Sequence, residues 1–161
     1  MVVADFGCGT GYYSIASAKI VGKNGKVYAI DVQKDLLQAV KSSALISDLK
    51  NIEIVWADLE LLNGSRLANE SVDLIIISNI LFQSENHSAI SKEALRILKK
   101  GGRVAVVEWI KSPDANGKIG PSEEKRLSKE ETQKIFFEEG FKLEKDFEAG
   151  DNHYGLLFTR P

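Results

Sequence analysis

A single cysteine, Cys8, occurs in 161 residues, so no disulfide forms within the chain. That excludes a disulfide-stapled scaffold and suits a reducing compartment. A chain of this length buries a core without staples. No metal-ligand cluster and no serine-histidine-aspartate arrangement is evident, so no metal is expected. The two histidines, His87 and His153, lie far apart and read as surface or hydrogen-bonded side chains. Long apolar runs are also missing. The longest, VDLIIISNILF (Val72–Phe82), has 11 residues and is broken by Asp73, Ser78 and Asn79, whereas a membrane span needs about 20. Asp5 and glycines stand where a signal peptide carries basic and then apolar residues. The expected location is the cytoplasm. An excess of one charge sign is absent too: 21 basic and 23 acidic residues give a net charge of −2. No phosphate-tracking stripe follows, and no generic nucleic-acid partner is expected.

What is present is an alternation of strand and helix patterns in one domain spanning residues 1–161. Met1–Phe6 reads as a buried strand. Tyr12–Val21 reads as a helix packed on a sheet through Ile15, Ala16 and Ile20. Val27–Ile30 is a second strand, and Leu36, Leu37, Val40, Ala44 and Leu45 mark an amphipathic helix over Lys34–Leu49. Ile52–Ala57 is a third strand, and Leu59–Glu70 is mostly loop. Val72–Ser78 is apolar enough to be covered on both faces. A helix over His87–Lys100 ends at Gly101-Gly102, and a strand follows over Arg103–Trp109. Ser128 and Glu131 form a capping box for a helix over Lys129–Glu139. Phe141–Phe147 and Tyr154–Thr159 are the final strands. The order implies an α/β, Rossmann-like, doubly wound sheet of seven strands. It is mostly parallel with an antiparallel last strand, because no helix separates the final two.

In such sheets ligands sit at the carboxyl ends of the strands. After the first strand, Gly7, Gly9 and Gly11 alternate in VADFGCGTGYYS. Bare backbone there admits a ligand and the turn into a helix. A dinucleotide fingerprint, G-x-G-x-x-G, places glycine where Tyr12 stands, which disfavours a nicotinamide-dependent oxidoreductase. After the second strand comes Asp31, 20 residues past Gly11, the distance at which an acid accepts from ribose hydroxyls. After the third comes Asp58, able to accept from an adenine amine, with Val32 and Leu59 against the ring faces. After the fourth comes Asn79, polar at the end of an apolar strand. Cys8 reads as a small filler in the glycine turn, Trp56 as core, Trp109 as core or a wall of the cleft, and Glu108 as an acid facing the substrate. Lys111–Leu127 reads as a long loop of the kind that forms a lid, contacts substrate or is simply mobile.

GCGTG after VAD, the acid in AIDV, WADLE, VDLIIISNILF and LKKGGRVAVVEW occur in this order along nearly the whole chain. Together they resemble a class I S-adenosylmethionine-dependent methyltransferase, similar to the small-molecule branch of ubiquinone and menaquinone biosynthesis. The resemblance implies the strand order 3-2-1-4-5-7-6. It implies S-adenosylmethionine as cofactor, S-adenosylhomocysteine as product and a small-molecule methyl acceptor. It implies that Asp5 with Gly7, Cys8, Gly9 and Gly11 holds the amino-acid part. Asp31 would hold the ribose, Val32 and Leu59 the adenine faces, Asp58 the adenine amine, and Asn79 and Ile80 the methionine moiety. No catalytic acid or base is assigned, since alignment and water exclusion suffice for a sulfonium donor. The motif SNIL departs from the pattern of nucleobase amino-group methylation. The family usually carries a helical segment before the first strand, so the uncovered face is expected either to show apolar surface or to be covered by another subunit, as in a homodimer. A non-catalytic methyltransferase-like subunit, or a protein or RNA acceptor, are the alternatives.

Overall fold

The computed structural model describes residues 1–111 and 119–161. Seven strands form one sheet: β1 Val2–Phe6, β2 Lys26–Asp31, β3 Ile52–Trp56, β4 Val72–Ser78, β5 Leu98–Trp109, β6 Lys142–Glu148 and β7 His153–Thr159. Their order is β3-β2-β1-β4-β5-β7-β6, as the resemblance implies. β1 to β5 pair in parallel, and β7 runs antiparallel to both β5 and β6. Four α-helices lie among the described residues: α1 Tyr12–Val21, α2 Lys34–Ile46, α3 His87–Ile97 and α4 Lys129–Glu138.

The central strands are apolar because both sheet faces are covered. Phe6, Ile75, Ile77, Val104, Val106, Leu156 and Phe158 pack with Ile90 and Ile97 of α3 and Phe136 of α4, all fully buried or nearly so. Phe136 stacks on Phe158 with ring centroids 4.7 Å apart. The opposite face is smaller: Val3, Val27 and Ala29 meet Ala18 of α1 and Leu37 and Val40 of α2. At α4 the expected capping box forms, with Ser128 Oγ accepting the Glu131 N–H and Glu131 accepting the Ser128 N–H.

Three expectations need correction. α1 buries Ser14, Ser17 and Ala18 rather than Ile15, Ala16 and Ile20, and Ile20 is 80% exposed. The glycine turn sets the phase of this helix. Ser14 Oγ donates to Asp5 Oδ2 at 2.5 Å, which turns the small residues to the sheet and allows close approach. α3 ends at Ile97 rather than Lys100, because Leu98 is already extended, buried and paired with Val72. β5 therefore starts before the glycines, and Gly101 (φ 72°) sits at an irregularity in its pairing. α2 stops at Ile46, where Asp48 takes φ 48° and the Leu49 N–H donates back to Ala44 O. The other boundaries fall within one residue of the pattern. Residues 112–118 of the expected loop after β5 lie outside the described residues. No helix among the described residues is long and apolar enough to cross a membrane.

Gly11 marks the point where this packing constrains the site. Its φ is 91°, and a Cβ there would stand 2.9 Å from Val40 Cγ2. Gly11→Ala is expected to lower unfolding stability by about 2 kcal/mol through backbone strain and overpacking. Urea denaturation checks this; an unchanged midpoint would remove Gly11 from the packing between α1 and α2.

Candidate functional site

The carboxyl ends of β1, β2, β3 and β4 open into one cavity of about 610 Å³. A cavity of about 810 Å³ between the end of α1 and the starts of β2 and β3 is larger. It lies at the amino ends of those strands, away from the crevice that open α/β sheets use.

Every residue expected to hold the cofactor except Gly11 lines the first cavity: Asp5, Gly7, Cys8, Gly9, Asp31, Val32, Asp58, Leu59, Asn79 and Ile80. Gly11 shapes the turn instead, its N–H donating to Cys8 O and its carbonyl accepting from Ile15. Gly7 has φ 66°, and a Cβ on it would collide with Ile80 Cγ2. The ends of β1 and β4 therefore meet with no side chain between them. At Gly9 nothing lies within 4 Å of where a Cβ would stand, so bare backbone faces open cavity.

Asp31 joins two strand ends. Its Oδ2 accepts the Gly9 N–H and its Oδ1 the Gln33 N–H, each at 2.9 Å. A carboxylate has about four acceptor positions, so acceptor capacity remains toward the cavity. Val32 stands at the rim, 53% exposed, and Leu59 is buried. Asp58 accepts the Glu60 N–H through Oδ1. Asp5 is 2% exposed. Burial raises its carboxyl to about 6, with the Asp31 charge adding to the rise and the Ser14 hydrogen bonds opposing it. Burial, then the charges of Asp5 and Asp31, push the Cys8 thiol upward, so it is a neutral filler rather than a nucleophile.

Asn79 adopts φ 57°, donates its N–H to Val107 O at 2.9 Å, and its buried Oδ1 has no partner among the described residues. Asp5, Asp31, Asp58 and Glu60 give the cavity four carboxylates, and no lysine, arginine or histidine is among its described lining residues. Such a site favours a cationic ligand and repels phosphate.

Several contributors were not legible as site residues. Glu60 Oε2 accepts the N–H groups of Glu85 and Asn86 at 3.0 and 2.7 Å, holding the loop after β3 to the start of α3. Ser14 fixes Asp5; its only sequence signal is a polar residue one helical turn after Gly11. Tyr12, Tyr13, Gln83 and Ser84 also line the cavity. Glu108, expected to face substrate, is instead fully buried and outside the cavity lining. Trp109 packs against His153 with ring centroids 4.1 Å apart and the planes tilted by 41°, and lies 5.4 Å from the Arg126 guanidinium. His87 Nε2–H donates to Leu81 O at 2.8 Å.

Residues 1–146 match the family model described as a methyltransferase domain. The chain belongs to this family. A demethylmenaquinone methyltransferase of Lactococcus lactis is 32% identical over 108 residues, 66% of this chain and 41% of that protein. The chain thus spans less than half the length of this curated relative. A crystal structure of a SAM-dependent methyltransferase from Aquifex aeolicus superposes with TM-score 0.87 at 27% identity, covering 98% of this chain and 81% of that one. The [4+2]-cyclase SpnF shares the fold, with TM-score 0.83 at 17% identity over 99% of this chain and 74% of that one.

S-adenosylmethionine is the cofactor that membership in the methyltransferase-domain family implies, and the residues present fit it. Its sulfonium and ammonium suit an acid-lined cavity, its hydroxyls suit Asp31, and the open wall at Gly9 leaves room against backbone.

Glu108 supplies a measurable consequence. Burial raises its carboxyl from 4.5 to about 7, against the lowering effect of the Leu81 N–H and neighbouring backbone donors. Because the folded value exceeds the unfolded one, the protonated form stabilises the fold. That stabilisation is complete below about 4.5 and is lost as pH rises through about 7. Glu108→Gln, which mimics the protonated form, is expected to be more stable than the parent at pH 8 by about 2–3 kcal/mol. The difference should shrink toward zero near pH 5. Thermal unfolding across that range checks it; a pH-independent difference would contradict the assignment.

Proposed function

We propose that this chain binds S-adenosylmethionine in the cavity at the strand ends and moves its methyl group to a small-molecule acceptor. The observation that carries this reading is the charge of the cavity: four carboxylates and no basic side chain among the described lining residues. A pyrophosphate would be repelled there, whereas a ligand with net positive charge is attracted. When bound, S-adenosylmethionine supplies a methyl group on a positively charged sulfur, and a neutral thioether leaves on transfer.

Each residue then has a role its placement supports. Asp31, already fixed by Gly9 and Gln33, accepts from the ribose hydroxyls. Asp58 accepts from the adenine amine, and Val32 and Leu59 flank the ring. Asp5, braced by Ser14, faces the amino group; a positive charge beside it favours its ionised form. Gly7 and Gly9 present backbone, and Asn79 and Ile80 border the methionine end. Tyr12 and Tyr13, edge to face at 5.1 Å, line the same cavity and offer an aromatic surface to an acceptor. A small-molecule acceptor is further supported by the names of the relatives, among them demethylmenaquinone methyltransferases and an arsenite methyltransferase. No general base is assigned: positioning and exclusion of water are what these residues contribute.

Calorimetry should detect binding of S-adenosylhomocysteine and none of NAD. Asp31→Ala should weaken that binding by about 1.5–3 kcal/mol, the scale of hydrogen bonds to a charged group. Radiolabelled methyl transfer to a fractionated extract should place label among small molecules. Label confined to protein or RNA would overturn the acceptor class, and an unchanged affinity would remove Asp31 from the site.

A further inference from the structure

The segment between β4 and α3 borders the cavity through Asn79, Ile80, Gln83 and Ser84. It is held at several points. Asn79 N–H donates to Val107 O at 2.9 Å. Glu60 takes the Glu85 and Asn86 N–H groups. His87 donates to Leu81 O. The remaining tie is Glu108, whose Oε1 accepts the Leu81 N–H at 2.8 Å with its side chain fully buried.

Glu108 is an expensive way to satisfy one N–H. Its Oε2 is buried with no partner among the described residues, and a buried, half-satisfied carboxylate costs stability. A neutral acceptor at this position would satisfy the same N–H without burying a charge. The carboxylate nevertheless sits one residue from the closest approach in the site. Ile80, next to Leu81, packs where a Gly7 Cβ would be, and Asn79 is held at φ 57°. A position that strains the backbone needs an opposing restraint, and strained residues cluster at functional sites.

We propose that Glu108 is a positioning residue of the cofactor site: by holding the Leu81 N–H it sets Asn79 and Ile80 against the cavity, and its neutralisation loosens that segment and weakens cofactor binding. This inference rests on the S-adenosylmethionine reading above. An ionised acceptor makes a hydrogen bond roughly twice as strong as a neutral one. The form of Glu108 that costs the fold stability is therefore the form that holds the site. A residue serving only the fold would not show these opposite signs.

Ionisable groups on the surrounding elements are Tyr154 on β7, paired opposite Glu108, Glu130 and Glu131 in the first turn of α4, His87 at the start of α3, and Arg126 over Trp109. Burial holds Tyr154 well above the neutral range. His87 bonds the carbonyl of Leu81, the residue whose N–H Glu108 accepts, so its variant is the needed control.

The test compares the parent chain, Glu108→Gln and His87→Gln between pH 6 and pH 8.5 by two readouts. The first needs no ligand: the amide proton shift of Leu81 by NMR. It should titrate with a midpoint near 7 in the parent and in His87→Gln, and stay flat in Glu108→Gln. The second is S-adenosylhomocysteine affinity by calorimetry. At pH 8 Glu108→Gln should bind about three- to ten-fold more weakly than the parent, despite its greater stability, and the ratio should approach one near pH 6. Any effect of Asp5 is common to both chains and cancels in the ratio. Equal affinities at every pH overturn the inference alone, as does a Leu81 titration abolished by His87→Gln. No binding by the parent at any pH overturns the cofactor reading and this inference with it. Should Glu108→Gln not fold, the parent and His87→Gln decide: a flat Leu81 shift in the parent overturns the inference.

Discussion

The hydrogen bond from the Gly9 N–H to the Asp31 carboxylate ties the turn after β1 to the end of β2, and the cavity is built outward from that tie. It requires a glycine turn that leaves an N–H unused by helix or sheet. It also requires an acid at the end of the adjacent parallel strand, in register with it. Once Asp31 is anchored there and at Gln33, Val32 is carried to the rim and Trp56 Nε1–H can donate to Val32 O. Asp5, across the same turn, is brought close enough to Asp31 for that charge to add to the rise that burial imposes on its carboxyl. Buried carboxylates gathered this way oppose folding and invite a cation, a common trade at binding sites.

The other wall depends on a second close approach, between Gly7 and Ile80. β1 and β4 are neighbours at the point where strand order reverses, so their following segments diverge and open the crevice. Ile80 seals its base. The segment carrying Ile80 has little regular structure, only the short 3₁₀ turn Leu81–Gln83. Its placement therefore comes from side chains elsewhere: Glu60 after β3, His87 on α3 and Glu108 on β5. The loop after β3 is itself clamped to α3 where Glu93 accepts the Ser65 N–H and the Arg96 fork. Burial works against the Glu93 charge, but Arg96 and Ser65 outweigh it and hold the carboxyl below its usual range.

A SAM-dependent methyltransferase from Aquifex aeolicus and the [4+2]-cyclase SpnF share this fold. Fold alone therefore does not choose the reaction. The reaction proposed for this chain rests on the family model over residues 1–146 and on the chemistry of the cavity walls.

The family resemblance supplied the reversal of strand order at β1 and β4; the amino-acid sequence by itself determined the alternation of strands and helices and the line of acids at the strand ends. Those features are local: apolar runs, glycines at alternate positions, and one polar residue just past each strand. A residue that follows a parallel strand in an open α/β sheet is delivered to the crevice whatever packs around it, which is why Asp31, Asp58 and Asn79 were readable. Tertiary structure alone decided the rest. The face α1 buries was misread because its phase is set by Ser14 reaching Asp5, a contact no periodicity reveals. Gly11 looked like its two partners, yet Val40 from another helix claims its open side. Glu108 sits at a strand end like the others, but the alternation of β5 turns it to the α3 and α4 face, beneath Leu81 rather than into the cleft. Position along a strand is written in the chain; which face is covered, and by what, depends on residues far away in it.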